Sequence, residues 1–283
     1  MKKNRAVVFG LSANQVFAVA CVMMDIKKLS PDLADEIVII HDGINEQDKN
    51  ILQNILPTKF IDYDFPLKKK EVLDAKAIKY FTKMVFTKFE CLRLLNDYRN
   101  VMWLDYDIVV QEDIGHLFLP SENGIKMMLG GIPVRGQLHE EVLEYDMDKE
   151  GIVGSLFVFQ DNLKNYLDLY KYCYMALEKY VNVLHLGEQA IFDFMLQEFK
   201  LQPIFLDGEI YTPHPTNMEL AKKAKIIHAY GQPKFWNGLE HSGWNENYKK
   251  WLELGGTPCK NKNNSFFYKI KRLINSKIFT DKI

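Results

Sequence analysis

The chain has 283 residues, of which 47% are hydrophobic and 26% are charged, an ordinary composition for a globular protein of one large or two small domains. The formal net charge of −1 gives no electrostatic case for a nucleic-acid partner. No run approaches the roughly 18 apolar residues of a transmembrane helix, and four scattered cysteines are typical of a reduced, cytosolic protein.

Strand and helix patterns alternate along the chain. In the first half they predict a strand at 6–9, a helix at 14–26, a strand at 36–40, a helix at 46–56 and a strand at 60–63. A long amphipathic helix at 75–95 and a strand at 101–104 follow. In the second half they predict strands at 126–129 and 152–159, helices at 166–179 and 187–199, and short strands at 204–206 and 225–228. This alternation predicts an α/β fold with a mostly parallel central sheet, in which ligands bind outside the carboxyl ends of the strands.

Two carboxylates, Asp105 and Asp107, stand one residue apart inside the apolar run 101–110. Residues i and i+2 of an extended segment point to the same side, so both acids are expected to face one way. Two acids in a buried strand are costly without a positive partner, and hard oxygen ligands suit Mg²⁺, Mn²⁺ or Ca²⁺. An isolated D-x-D also occurs at strand ends that cap a helix or reach solvent, but the apolar flanks favour a metal site.

A second group of residues follows the short strand at 225–228. His228 is succeeded by Gly231 three residues later and by Lys234 six residues later. Glycine lets backbone N–H groups approach an anion, and lysine supplies a point charge for phosphate. A histidine after an apolar strand is often a satisfied core residue. With the two acids, however, a neutral imidazole completes an N,O ligand set suited to Mn²⁺, so the combination indicates a metal ligand beside a diphosphate clamp.

These motifs together resemble glycosyltransferase family 8. The resemblance lies in segments 81–90 and 96–109 and in the late motif H-x-x-G-x-x-K-P-W, which is met by His228, Gly231, Lys234 and Trp236. It covers roughly residues 5–255. It implies a GT-A fold (a Rossmann-like nucleotide-diphospho-sugar transferase), a nucleotide-sugar donor that is usually UDP-linked, Mn²⁺ with Mg²⁺ as the alternative, and retention of anomeric configuration.

The resemblance also implies roles for individual residues. Asp105, Asp107 and His228 are the implied metal ligands. Gln189 is implied to lie beside the anomeric carbon, with Glu188 near the sugar hydroxyls and as the alternative nucleophile. The implied contacts to the donor are Phe9, Asn14, Lys88, Asp105, Tyr106, Gly231 and Lys234.

Several segments depart from the family pattern. The loop after the first strand lacks the acids that often read uracil in the family, and only Asn14 matches the family pattern there. Residues 153–155 read V-G-S where the family has N-[AS]-G, and Ala190 stands where an acid follows the glutamine. The acid of the family's G-A-x-D segment is absent from residues 130–133, and Phe235 replaces the proline after the clamp lysine. The donor base, the donor sugar and the acceptor therefore stay open.

The C-terminal residues 260–283 differ from the rest of the chain. They contain seven basic residues against the single acid Asp281, interleaved with aromatic and aliphatic residues. This pattern predicts a basic helix lying on an anionic membrane, although a solvated terminal helix has the same composition. The sequence thus predicts a GT-A catalytic domain at 1–259 and a helical basic extension at 260–283.

The predicted function is a Mn²⁺-dependent retaining glycosyltransferase. It would move a hexose from UDP-glucose or UDP-galactose to a cell-surface glycan, a lipopolysaccharide or another lipid-linked acceptor. We expect it in the cytoplasm, peripheral on the inner face of the cell membrane. Two alternatives remain from sequence. One is a haloacid-dehalogenase-type Mg²⁺-dependent phosphohydrolase, which also places D-x-D after an apolar strand, and the other is a non-catalytic nucleotide- or sugar-binding relative.

Overall fold

The computed structural model describes residues 1–260. The strands in this range are β1 (Lys3–Leu11), β2 (Glu36–His41), β3 (Thr58–Asp62), β4 (Tyr98–Leu104), β5 (Ile108–Val110), β6 (Ile125–Pro133), β7 (Glu150–Gln160), β8 (Ile204–Leu206) and β9 (Ile226–His228). The helices are α1 (Val16–Leu29), α2 (Glu46–Ile55), α3 (Lys70–Leu73), α4 (Lys76–Phe81), α5 (Glu90–Arg93), α6 (Tyr166–Tyr180), α7 (Gln189–Glu198), α8 (Gly208–Tyr211), α9 (Met218–Ala221) and α10 (Ser242–Glu253). The predicted tail helix lies outside the described residues.

A seven-stranded sheet in the order β3-β2-β1-β4-β7-β6-β8 forms the centre. Strands β3, β2, β1 and β4 are parallel, β7 is antiparallel to both β4 and β6, and β8 is parallel to β6. In this register Val8 pairs with both Val38 and Trp103. The predicted α/β fold with a mostly parallel sheet is confirmed. Because β1 and β4 run in one direction, their carboxyl ends meet at one edge, where the D-x-D follows β4.

Helices cover both faces of this sheet. Ala6 and Val8 of β1 face the core formed with α6 and α7, whereas Val7 and Phe9 face the core formed with α1 and α10. A strand buried on both faces reads as a continuous apolar run rather than as an alternating one, which explains the sequence of β1. Within residues 1–260, no helix is both long enough and apolar enough to cross a bilayer.

Strands β5 and β9 form a separate two-stranded antiparallel sheet, in which Ile108 pairs with His228. Strand β5 begins directly after the D-x-D, and β9 ends at His228. The pairing therefore brings two motifs together that are far apart in the chain. The sequence predicted a strand at 225–228 but not its partner.

The long helix predicted over 75–95 is wrong. The chain there forms α4, a 3₁₀ helix at Lys83–Phe89, and then α5. Thr82 interrupts the helix because its φ is +64°, in the left-handed region that a β-branched residue rarely adopts. Its Oγ1 accepts a hydrogen bond from the Met84 N–H at 3.2 Å. Beyond this break Lys88 lies inside the protein, only 6% exposed.

Candidate metal and donor site

A cavity of about 1570 Å³ lies at the carboxyl ends of β1 and β4. Its lining combines residues that are distant in the chain, among them Asn14, Asp105, Glu188, His228 and Lys234. The parallel sheet supplies the first two, because the loops after β1 and β4 emerge at the same edge. The cavity thus collects residues from the D-x-D, from the motif that contains His228 and Lys234, and from the segment around Gln189.

Asp105, Asp107 and His228 form a compact group. One ligand atom from each lies within 4.8 Å of the other two. His228 Nε2 is 3.1 Å from Asp107 Oδ1 and 3.9 Å from Asp105 Oδ2. Two carboxylates and an imidazole offer hard oxygen donors and one nitrogen, a donor set that fits Mn²⁺ or Mg²⁺.

The two acids converge at a bend rather than along a strand. Strand β4 ends at Leu104, so the extended geometry expected for Asp105 and Asp107 is wrong. Backbone hydrogen bonds hold the bend instead: the Asp105 N–H donates to Ser155 O, and the Ala229 N–H donates to Asp107 O, both at 2.9 Å. The motif is therefore fixed between β7 and β9.

Lys234 supplies a positive charge to this group. Its ammonium forms an ion pair with Asp107 Oδ2 and donates to Ala229 O at 2.8 Å. Burial acts to raise the pKa of Asp107, but His228 and Lys234 outweigh it and hold the pKa well below its usual value. Asp107 thus stays ionised and attracts a cation, here the ammonium of Lys234, the residue that was expected to bind diphosphate.

Gly231 lies at the same part of the cavity. Its φ is +67°, and a Cβ atom at this position would meet no atom within 4 Å. The left-handed backbone explains why glycine suits the turn, and the open space around it leaves the backbone accessible to an anion.

Lys88 joins the D-x-D to the segment that precedes α7. Its Nζ lies 3.2 Å from Asp105 Oδ1 and 2.6 Å from Glu188 Oε1. The Lys88 and Glu188 side chains are only 7% and 3% exposed. Burial acts to lower the pKa of Lys88, but the two carboxylates raise it well above its usual value. Burial raises the pKa of Glu188 even though Lys88 opposes it. Sequence reasoning missed this pair because no spacing pattern links residues 100 positions apart.

Gln189 begins α7 and lines the cavity. Its Oε1 accepts a hydrogen bond from the Gly154 N–H at 3.4 Å, and its Nε2 donates to Leu186 O at 3.2 Å. One turn later, Asp193 Oδ2 accepts the Ile152 N–H at 3.1 Å. The hydrogen bonds of Gln189 with Gly154 and of Asp193 with Ile152 anchor α7 to β7 and hold the start of the helix at the cavity.

The remaining predicted donor contacts divide into two groups. Asn14 and Tyr106 line the cavity, as expected. Phe9 does not: it is completely buried in the core on the α1 side of the sheet. The alternation of side chains along β1 turns Phe9 away, and the neighbouring Gly10 lines the cavity instead.

Residues 6–129 match the family model described as glycosyl transferase family 8. Solved structures similar to this chain include three glycosyltransferases. One is the bifunctional WbbM, with 17% identity and a TM-score of 0.66 over 90% of this chain and 51% of that one. Another is the galactosyltransferase LgtC in complex with donor and acceptor sugar analogs, with 14% identity and a TM-score of 0.63 over 91% of this chain and 98% of that one.

The third structure is GlyE of Streptococcus pneumoniae TIGR4, with 16% identity and a TM-score of 0.58 over 92% of this chain and 66% of that one. This chain spans about half the length of WbbM. No curated protein sequence matches it significantly. At these identities the structural likeness shows the fold, and the predicted GT-A fold is confirmed.

Proposed function

We propose that this chain, a glycosyltransferase that carries a family 8 segment at residues 6–129, is a Mn²⁺-dependent retaining hexosyltransferase. Its donor is UDP-glucose or UDP-galactose, and its acceptor is a hydroxyl group of a cell-surface glycan, a lipopolysaccharide or another lipid-linked saccharide. The observation that carries the proposal is the convergence of Asp105, Asp107, His228 and Lys234 at one cavity. The family match and the fold favour a glycosyltransferase over the phosphohydrolase that the sequence left open.

In this proposal Asp105, Asp107 and His228 hold the metal, with Mg²⁺ as the alternative. When bound, the metal ion neutralises negative charge on the departing nucleoside diphosphate. Lys234 already reaches the ligand group through Asp107, so its ammonium is within range to pair with a phosphate oxygen. The accessible backbone at Gly231 provides a second contact for the same diphosphate.

The nucleobase is assigned to the part of the cavity beside β1 and β2. Ser12, Asn14 and Asp42 line this part. Asp42 Oδ1 accepts a hydrogen bond from the Ala13 N–H at 2.8 Å, which holds the loop after β1 against the end of β2. The loop therefore presents the hydroxyl group of Ser12 and the amide group of Asn14 to a base.

The sugar is assigned to the part of the cavity beside Glu188 and Gln189. Retention requires either a covalent intermediate or attack by the acceptor hydroxyl on the face that the diphosphate leaves. The Gln189 amide is a poor nucleophile, and the Glu188 carboxylate is engaged by Lys88 at 2.6 Å. Both facts favour same-face attack, with Glu188 and Gln189 orienting the sugar and stabilising its oxocarbenium-like transition state.

The domain and membrane assignments also belong to this proposal. Residues 1–259 form the catalytic domain, and the basic extension 260–283 binds an anionic membrane on the cytoplasmic side. Apart from residue 260, that extension lies outside the described part of the chain.

The test is Asp107→Asn, with Asp168→Asn as a matched control because Asp168 is exposed on α6. Hydrolysis of UDP-glucose and UDP-galactose is measured with Mn²⁺, with Mg²⁺ and with EDTA. We expect metal-dependent turnover for the wild type and the control, and a loss of about 10²-fold or more for Asp107→Asn, the size typical of a lost electrostatic contact to the transition state.

Two results would contradict the proposal. Unchanged hydrolysis by Asp107→Asn would remove this residue from the metal site. Thermal stabilisation of the wild type by UDP and Mn²⁺, without hydrolysis or transfer of any nucleotide sugar, would identify a non-catalytic binding protein.

A further inference from the structure

Two short helices at the cavity each present a large exposed apolar side chain. On α4, Phe81 lines the cavity, and the adjacent Tyr80 contacts it edge-on, with ring centroids 4.7 Å apart. Tyr80 itself is 81% exposed. On α9, Leu220 lines the same cavity, and Met218 is 65% exposed. Single exposed apolar residues are common on proteins, but here each lies on a short helix that also lines the cavity.

Exposed lysines flank both apolar side chains. Two of them enclose Tyr80 in the chain, and two directly follow α9: Lys76, Lys83, Lys222 and Lys223. None of these four forms an ion pair with a carboxylate of residues 1–260. The nearby Lys79 differs, because it pairs with Asp74 at 3.0 Å and so neutralises an acid of the same segment. One exposed acid, Glu219, lies beside Met218 on α9. Four unpaired lysines against this one acid leave the two segments with an excess of positive charge around the exposed apolar groups.

We propose that α4 and α9, together with Lys76, Lys83, Lys222 and Lys223, form a docking rim that rests the mouth of the cavity on an anionic phospholipid membrane. Basic side chains are attracted to an anionic leaflet, while tyrosine and methionine enter the boundary between headgroups and acyl chains. The combination suits a membrane surface better than a soluble polyanion, which would use the lysines and leave Tyr80 and Met218 in water.

The docking rim has a consequence for the acceptor. Since Phe81 and Leu220 line the cavity on the same helices, a cavity resting on a membrane receives an acceptor hydroxyl that is attached to a lipid. This consequence rests on the proposed glycosyltransferase reaction, whereas docking itself does not depend on the donor chemistry.

The chain also contains a natural contrast to the docking rim. Leu143 is 88% exposed, more than either Tyr80 or Met218. Its neighbours Glu141 and Glu144, however, pair with Arg135 and Lys179, and the exposed Glu140 has no basic partner among residues 1–260. This surface therefore has no unpaired positive charge that would attract an anionic membrane. Exposure alone therefore predicts binding through Leu143, while exposure combined with positive charge predicts binding through the docking rim.

The experiment uses the full chain and sedimentation with vesicles of phosphatidylglycerol and phosphatidylcholine, compared with phosphatidylcholine alone. One rim variant is Tyr80→Ser with Met218→Ser, and its control is Leu143→Ser. The other rim variant changes the four rim lysines to Gln, and its control changes four exposed lysines beside or on α6 and α10: Lys164, Lys171, Lys249 and Lys250. We expect both rim variants to lose about tenfold or more in partitioning to the anionic vesicles, and both controls to keep it.

Three results would overturn the proposal. Equal losses for the rim lysines and the control lysines would mean that only net charge matters. Wild-type partitioning by both rim variants would place membrane contact elsewhere, such as in residues 260–283. Dextran sulfate serves as a soluble polyanion in the third comparison. If Tyr80→Ser with Met218→Ser keeps vesicle binding while the lysine variant loses binding to dextran sulfate, the surface is a site for soluble polyanions.

Hydrolysis of a soluble nucleotide sugar separates this proposal from the proposed function. None of the altered rim side chains lines the cavity, so each rim variant should keep the hydrolysis rate of the wild type, which also shows that it is folded. If the wild type hydrolyses no nucleotide sugar but the rim variants lose vesicle binding, the reaction is wrong and the docking rim stands.

Discussion

Gly154 lies directly against the carboxylate of Glu188. A Cβ atom at position 154 would stand 2.2 Å from Glu188 Oε1, closer than packing allows, and 3.3 Å from Lys88 Nζ, a tight contact. The acid at position 188 is a glutamate, one methylene longer than an aspartate. Glycine on β7 provides the space in which this longer acid reaches Lys88.

Gly154→Ala should therefore disturb the sugar end of the proposed site. The added methyl group has to displace Glu188 from Lys88, and a shift of about 1 Å near a reacting group can cost on the order of 10²-fold in rate. Turnover of the preferred nucleotide sugar measures this loss. Gly136→Ala is the control, because a Cβ atom there has its nearest neighbour at 3.6 Å, an ordinary contact.

A second substitution tests the cause of that loss. Glu188→Asp in the Gly154→Ala background shortens the acid by one methylene and should recover part of the turnover. If Gly154→Ala alone keeps the wild-type rate, or if the shorter acid recovers nothing, the fit between Gly154 and Glu188 does not position the sugar.

Lys88→Met should destabilise the protein strongly. The change leaves the Glu188 and Asp105 carboxylates without the ammonium that pairs with both, and breaking such a buried pair typically costs about 3–5 kcal/mol. The free energy of unfolding in urea measures the loss. Adding Glu188→Gln should restore part of it, because the amide carries no charge that needs a partner.

Lys126→Met provides a matched control for the lysine itself. Lys126 is also 6% exposed, but its ammonium donates to the carbonyls of Leu117 and Leu119, at 2.9 and 2.6 Å, rather than to carboxylates. If Lys88→Met costs no more than this control, the ion pairs of Lys88 contribute little to stability.

Lys234→Ala should make the stability of the protein depend on added metal. Without the ammonium on Asp107, the two acids of the D-x-D repel each other, so the melting temperature in EDTA should fall and Mn²⁺ should recover it. The KM for the nucleotide sugar should rise about tenfold, because a charge that binds phosphate is lost. Lys225→Ala, which removes only an ion pair with Glu112 at 2.9 Å, should show neither effect. The same melting temperature for Lys234→Ala and wild type in EDTA would contradict this role.

Asp193→Asn should change how stability depends on pH. Burial raises the pKa of Asp193 from 3.8 to about 7. The folded state therefore keeps this proton to a higher pH than the unfolded state, so the associated stability is complete below about pH 4 and is lost as the pH rises through about 7.

Asparagine keeps an acceptor for the Ile152 N–H and has no proton to lose. Relative to wild type, Asp193→Asn should gain stability between about pH 4 and 7, by at most about 4 kcal/mol at about 1.4 kcal/mol per pKa unit. Urea unfolding at several pH values measures the difference. For the control Asp168→Asn, at an exposed site, the difference from the wild type in the free energy of unfolding should stay constant over this pH range. A constant difference between Asp193→Asn and wild type across this range would mean that Asp193 is ionised throughout.

Much of the fold could be predicted from the sequence because it depends on local patterns. The alternation of apolar strands and amphipathic helices predicted the α/β sheet, and the strand at 204–206 was predicted with its observed bounds. The helix over 75–95 was wrong because the left-handed φ of Thr82 is not encoded in apolar spacing. The burial of Lys88 beyond this break could not be predicted from apolar spacing either.

The sequence by itself determined which groups are candidates for the chemistry of the proposed function. Asp105, Asp107, His228 and Lys234 were identified from residue type and spacing, because two acids in an apolar run demand a cation and a glycine with a lysine suits phosphate. Only the tertiary structure decided how these groups meet. The register of β5 against β9 brings His228 to Asp107, and the missing side chain of Gly154 lets Glu188 reach Lys88. Both contacts join segments distant in the chain, and strand pairing and close packing set such distances, which local spacing does not encode.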